Sequence, residues 1–202
     1  MFFYIFLKDK SLFKIKLKDI WMFIGTGILS LTFFNLCYFS AINVLDLSLA
    51  SILLYTAPCF VMIMSAFVFK ENISKGKILA FIMAFAGCAL ISGFGGSFNV
   101  KGIMLGIFAG FGYALYSIFG KYAIRNYSTL TITTYAFIFA SISSIPLANF
   151  TSDLKYFDIT TIWAALGLAA LSTVIPYLLY TWGLEEVEAG RASILATVEP
   201  LV

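Results

Sequence analysis

The chain has 202 residues, 61% of them hydrophobic and only 11% charged, with a net charge of +3 and a mean hydropathy of +0.98. A soluble domain carries about 25% charged residues, so these values exclude that class and describe an all-α polytopic membrane protein. There is no histidine, which removes histidine-based metal and triad chemistry, and in a membrane protein the basic excess sets orientation rather than recruiting nucleic acid.

A spanning helix needs about 20 mostly apolar residues. After a short apolar stub at 1–7, seven such segments can be drawn: α1 over residues 19–42, α2 over 47–69, α3 over 78–94, α4 over 102–122, α5 over 129–149, α6 over 161–184, and α7 from about 189 to 202. The stub puts apolar residues ahead of basic ones, the reverse of a signal peptide. Cys37, Cys59 and Cys88 all fall within apolar segments at spacings that match no metal site, so buried thiols and no metal or cofactor are expected.

The loops provide an independent test. Lys8, Lys10, Lys14, Lys16 and Lys18 precede α1; Lys70, Lys75 and Lys77 lie between α2 and α3. Lys121 and Arg125 surround the α4–α5 turn, and Arg191 stands at the start of α7. Alternate loops thus hold eleven basic residues, against two, Lys101 and Lys155, in the others. By the positive-inside rule the lysine-rich loops, 8–18 and 70–77 among them, face the cytoplasm of a cell membrane.

A repeat runs through the chain. Residues 50–58, Ala-Ser-Ile-Leu-Leu-Tyr-Thr-Ala-Pro, return 142 positions later as 192–200, Ala-Ser-Ile-Leu-Ala-Thr-Val-Glu-Pro. The same shift carries α1 onto α6, the stub onto the end of α5, Tyr38 onto Tyr180 and Asp46 onto Glu188. Five crossings separate α2 from α7, so the copies enter the membrane from opposite sides, as in an inverted-topology repeat. Under the shift α4 has no partner in the first copy and α3 none in the second. The expectation is a ten-helix protein of two inverted five-helix halves, of which about seven helices are present. Residues 1–94 would end the first half, lacking its first helix and most of its second; residues 95–202 would form the second half, lacking its last helix.

These residues resemble a known family. Ser-Ile-Leu-Leu-Tyr-Thr-Ala-Pro (51–58) followed by Phe-Lys-Glu-Asn-Ile (69–73) is similar to the fourth helix of the drug/metabolite transporter superfamily, EamA type. Gly-Arg-Ala-Ser-Ile-Leu-Ala-Thr-Val-Glu-Pro (190–200) is similar to its ninth. The resemblance implies a central cavity lined largely by α1, α2, α6 and α7, with α4 and a further first helix. It implies secondary transport of small organic metabolites, such as amino acids or related compounds, often outward. The alternative within the same fold is a facilitative or channel-like carrier without proton coupling. The expected partners are a small-molecule substrate, the lipid bilayer and, as an option, a second copy of the chain; no nucleic acid is expected. An intramembrane enzyme would need paired catalytic groups at membrane depth, which the spans do not offer.

The candidate residues follow from the repeat. On an unbroken helix Ser51, Tyr55 and Pro58 share one face, and Ser193, Thr197 and Pro200 repeat it. Proline cannot donate a backbone hydrogen bond, so the freed carbonyl can hold substrate or water; the alternative is an ordinary membrane proline satisfied by its neighbours. Pro176 and Pro146 lack such pairing and read as ordinary. Glu199 is an acid inside an apolar helix, where a charge costs about 3 kcal/mol or more. It is the candidate proton carrier or counter-charge for a substrate amine, or else it only supports the kink at Pro200. Asn35 and Tyr38 are expected to project toward the repeat axis, as are their counterparts Tyr177 and Tyr180. Tyr177 is preferred over Tyr180 for the cavity, and an interhelical hydrogen bond is the alternative role for Asn35. On α4, Gly102, Gly106, Gly110 and Ala114 form a small-residue seam, with Tyr113 beside it as a cavity candidate. Glu185, Glu186 and Glu188 read as a solvated acidic turn; the alternatives are ion pairing to Arg191 or a gating role.

Overall fold

The computed structural model describes residues 14–92, 99–147 and 158–198. Seven helical stretches follow one another among the described residues: α1 (Leu17–Ile42), α2 (Leu47–Phe69), α3 (Lys75–Ser92), α4 (Val100–Ala123), α5 (Thr129–Leu147), α6 (Ile159–Glu186) and α7 (Ala189–Ala196). Among the described residues α1, α2, α4, α5 and α6 are long and apolar enough to cross a membrane. Residues 93–94, 148–149 and 199–202, expected in α3, α5 and α7, lie outside the described residues. Local chemistry sets the starts. Asn99, Ser128 and Asp158 accept backbone hydrogen bonds from Gly102 (3.2 Å), Thr131 (3.3 Å) and Thr161 (2.7 Å), capping α4, α5 and α6.

α2 is not continuous: it is interrupted at Tyr55–Thr56. The described part of α7 ends at Ala196, in a turn at Thr197–Val198. In α2 the reason is Pro58, which has no N–H for the Leu54 carbonyl and crowds it. The chain tightens instead, with Thr56 N–H donating to Leu53 O (3.1 Å) and Cys59 N–H to Thr56 O (3.0 Å). Ser51, Tyr55 and Pro58 therefore do not form one unbroken helical stripe. The turn after α7 falls 142 positions on and has the same backbone: Tyr55 at φ −69°, ψ 4° and Thr197 at φ −71°, ψ −1°.

A second irregularity was not signalled by composition. α1 widens to a π-helix over Gly25–Thr32, and α6 does so over Leu168–Val174. The 142-residue shift lays one almost on the other. Such wide turns are rare and concentrate at functional positions.

α4 is the central post. A Cβ on Gly106 would sit 2.6 Å from a Leu53 methyl, and one on Gly110 would sit 2.7 Å from Thr56 Oγ1, so only glycine lets α2 approach this closely. Large apolar side chains such as Phe67 (84% exposed) and Trp163 (68%) point outward, an arrangement suited to hydrocarbon rather than water. The four basic loops gather at one end. Tyr127 Oη donates to Asp19 (2.7 Å) and accepts from Lys16 N–H (3.0 Å). Arg125 stacks over Phe69 and Tyr122, Lys77 meets Glu188, and Thr129 donates to Glu185.

Candidate functional site

A cavity of about 710 Å³ opens among α1, α4, α5 and α6, with the inner ends of α2's first segment and α7 touching it. α1 contributes Leu31, Phe34 and Asn35; α6 contributes Ser172, Thr173, Pro176, Tyr177 and Tyr180. Leu54 comes from the end of α2's first segment and Ala196 from the end of α7. Eight of these contacts form four pairs of repeat mates, 142 positions apart: Leu31 with Thr173, Phe34 with Pro176, Asn35 with Tyr177, and Leu54 with Ala196. α4 and α5 complete the wall with Tyr113, Tyr116, Phe137 and Ala140. The widened turns supply Leu31, Ser172 and Thr173, and each cavity-facing half of α1 and α6 follows directly from one.

The wall is aromatic and its ring geometry is fixed. Tyr116 and Tyr177 meet edge to face at 4.9 Å, Phe137 and Tyr177 at 5.6 Å, and Phe34 and Tyr113 at 5.5 Å. Such pairs prefer this arrangement because the positive ring edge faces the negative ring face. Toward the lysine-rich end the hydroxyls are tied. The Thr181 hydroxyl donates to Tyr177 O (2.7 Å), so in its 2.8 Å contact with Tyr116 Oη the tyrosine donates. Ser117 and Tyr180 are joined at 2.7 Å. These bonds lock α4 to α6 beneath the cavity. Among the described lining residues the polar groups are hydroxyls and the Asn35 amide, a surface that can hold apolar and aromatic groups and orient a few polar atoms.

The predicted residues separate into three groups. Asn35, Tyr113 and Tyr177 line the cavity together. Tyr38, Ser51, Tyr55, Pro58, Ser193 and Thr197 do not. Tyr38 Oη meets Ser51 Oγ at 3.1 Å, and Ser51 also donates to Leu47 O (2.9 Å). Tyr55 occupies the helix break, and Pro58 is buried at the start of α2's second segment. Ser193 and Thr197 are buried and turn back to the carbonyls of Gly190 (2.9 Å) and Ile194 (2.6 Å). Glu199 and Pro200 lie outside the described residues. Tyr116, Tyr180 and Pro176 were not favoured from sequence, yet all three line the cavity. Tyr116 follows Tyr113 by three residues and so lies on the same face. Pro176 is the repeat mate of Phe34. Both signals were present in the chain.

Outside the spans, Glu185 and Glu186 of the acidic turn are exposed, as expected, while Glu188 is also paired. Glu188 pairs with Lys77 (2.8 Å) and Arg191 (3.2 Å). The hydrogen bond from Lys77 holds its carboxyl below the usual value. At the other end, Asp158 is likewise lowered by the hydrogen bonds from Thr161 that make it the cap of α6.

The EamA-like transporter family matches residues 1–93 and again 100–202. An uncharacterized transporter of Archaeoglobus fulgidus is 30% identical over 189 residues, covering 94% of this chain and 68% of that one. The uncharacterized transporter YyaM of Bacillus subtilis is 26% identical over 190 residues, covering 89% and 62%. The chain thus spans roughly two thirds of the length of these curated relatives. A solved crystal structure superposes with a TM-score of 0.77 at 16% identity, covering 98% of this chain and 69% of that one, a likeness of fold.

Proposed function

The chain belongs to the EamA-like transporter family, and from that premise we propose that it carries the central path of a secondary transporter in the cell membrane. It moves small organic metabolites, such as amino acids or related compounds, outward by alternating access. Residues 1–94 and 95–202 belong to two halves of opposite topology, with the lysine-rich loops in the cytoplasm.

The observation that carries this reading is the pairing at the cavity. Leu31, Phe34, Asn35 and Leu54 face it from one copy, and Thr173, Pro176, Tyr177 and Ala196 from the other. Alternating access calls for a site shared by both halves, because each must release it in turn. Asn35, Tyr113 and Tyr177 are the proposed substrate contacts. The break at Tyr55–Thr56 and the matching turn at Thr197–Val198 are the proposed pivots, with Tyr38, Ser51, Tyr55, Ser193 and Thr197 shaping them. Glu199 is the proposed proton carrier.

The test is counterflow by the full-length protein in proteoliposomes, screened against amino acids and related metabolites. Saturable exchange of one class is expected; folded protein giving no flux above empty vesicles for any class overturns the proposal. Replacing Glu199 by Gln should remove the pH dependence of transport. Unchanged pH dependence instead assigns the fold's facilitative alternative.

A further inference from the structure

At the lysine-rich end the two parts of the chain meet through charges and backbone. α2 ends at Phe69, and Lys70 takes a left-handed turn (φ 57°) that sends the chain back toward α7. There Glu71 accepts hydrogen bonds from the N–H groups of Ala189 (3.0 Å) and Gly190 (3.3 Å). These are the first residues of α7, whose N–H groups have no partner within their own helix; the positive end of the helix also favours a carboxylate. Lys77 closes the arrangement. Its Nζ bonds Glu188 (2.8 Å) and Asn72 O (2.9 Å) and lies 3.9 Å from Glu71. The side chains of Glu71 and Lys77 are only 9% and 8% exposed.

The stack below leads to the cavity. Leu184, fully buried, packs with Val61, Ala57, Ala114, Ala189 and Ala192. Lys121 reaches from α4 to the carbonyls of Leu184 and Val187. Beneath that layer are the Tyr116–Thr181 and Ser117–Tyr180 bonds that border the cavity. Glu71 and Lys77 are contributed by the chain before α4, and their partners Glu188, Ala189 and Gly190 by the chain after it. Of these layers, the charged one joins the two parts by polar bonds that water can replace on separation; the apolar layer can part only after it.

We propose that Glu71 and Lys77 form a latch that holds the cavity shut toward the lysine-rich side. Opening on that side requires Glu71 to leave the first turn of α7 and Lys77 to leave Glu188. The proposal rests on the transporter reading, under which the cavity must open to each side in turn. Glu71 follows directly on the second segment of α2, Lys77 lies in the first turn of α3, and their partners stand at the start of α7. The break at Tyr55–Thr56 lets the second segment of α2 swing with the latch without unwinding the first. Lys77→Met leaves the Glu71 carboxylate buried without its cation, and Glu71→Gln takes the negative charge off the N-terminus of α7; each biases against the closed arrangement.

The experiment is thiol labelling of the full-length protein, which needs no substrate and so reads the latch even if no transported solute is found. Leu184→Cys in a cysteine-free background places a reporter in the apolar layer. A membrane-impermeant maleimide is added to vesicles exposing the lysine-rich face. Slow labelling is expected with the latch intact, rising at least about tenfold with Glu71→Gln or Lys77→Met as the closed population falls. Lys77→Arg, which keeps the cation beside Glu71 and Glu188, should keep labelling near the slow rate. Unchanged labelling in Glu71→Gln and Lys77→Met overturns the proposal. So does fast labelling in Lys77→Arg equal to that of Lys77→Met, which would mark a general loosening of the fold.

Discussion

Tyr177 is held at the cavity wall by the rings of Tyr116 and Phe137, so ring and hydroxyl can be tested apart. Each such ring contact contributes about 0.5–1.5 kcal/mol; Tyr177→Ala should therefore lower transport roughly threefold to tenfold, and Tyr177→Phe should keep most of it. Initial rates in proteoliposomes, read beside thermal midpoints, check this. Glu188 allows a test by pH. Its carboxyl is lowered first by the Lys77 hydrogen bond and further by the charges of Lys77, Arg191 and Lys121. A lowered carboxyl stabilises the fold above its unfolded value and loses that contribution as pH falls through its folded value. The thermal midpoint of the solubilised protein should drop on acidification below the usual carboxylate range, near about pH 4. Glu188→Gln should lose part of that drop, with little other change at lower pH. At this scale the sequence was readable where repeat mates face one space, as with Asn35 and Tyr177. It was less so for Tyr38 and Ser51, whose hydroxyls satisfy each other, because mutual satisfaction depends on neighbours that spacing alone does not reveal.

Helices were legible from apolar length, and all the described starts fall within a few residues of expectation. Their interruptions were only partly legible. Pro58 marked a weak point in α2, yet a proline often only bends a membrane helix, and the full break depends on Thr56 finding Leu53 O. The widened turns in α1 and α6 left no mark, since one extra residue in a helix changes neither composition nor hydropathy. The glycine seam on α4 was the clearest packing signal, and it is testable. Gly110→Leu drives a side chain into Thr56 and the Leu53 and Leu54 carbonyls and should cost about 1–3 kcal/mol by overpacking, seen as a lower thermal midpoint. Gly87→Ala, which meets nothing within 4 Å, should leave the midpoint unchanged or raise it.

For the molecule as a whole, the distribution of lysine and arginine makes the strongest claim, since the basic loops before α1, α3, α5 and α7 converge at one end of the bundle. Lys75→Cys should label with an impermeant reagent only when the cytoplasmic face is presented, and Lys101→Cys only from outside intact cells; the reverse pattern would invert the orientation. The matched widenings of α1 and α6 carry a further consequence, one of phase. An added residue advances every later side chain by about 100° around its helix, so Asn35 and Tyr177 have been turned through the same angle. Deleting one residue from a single widened turn would put the two walls of the cavity out of step. Deleting one from both would restore the rhythm while bringing a different set of side chains to the axis. The cavity's chemistry could thus be rewritten by two deletions, with no lining residue replaced.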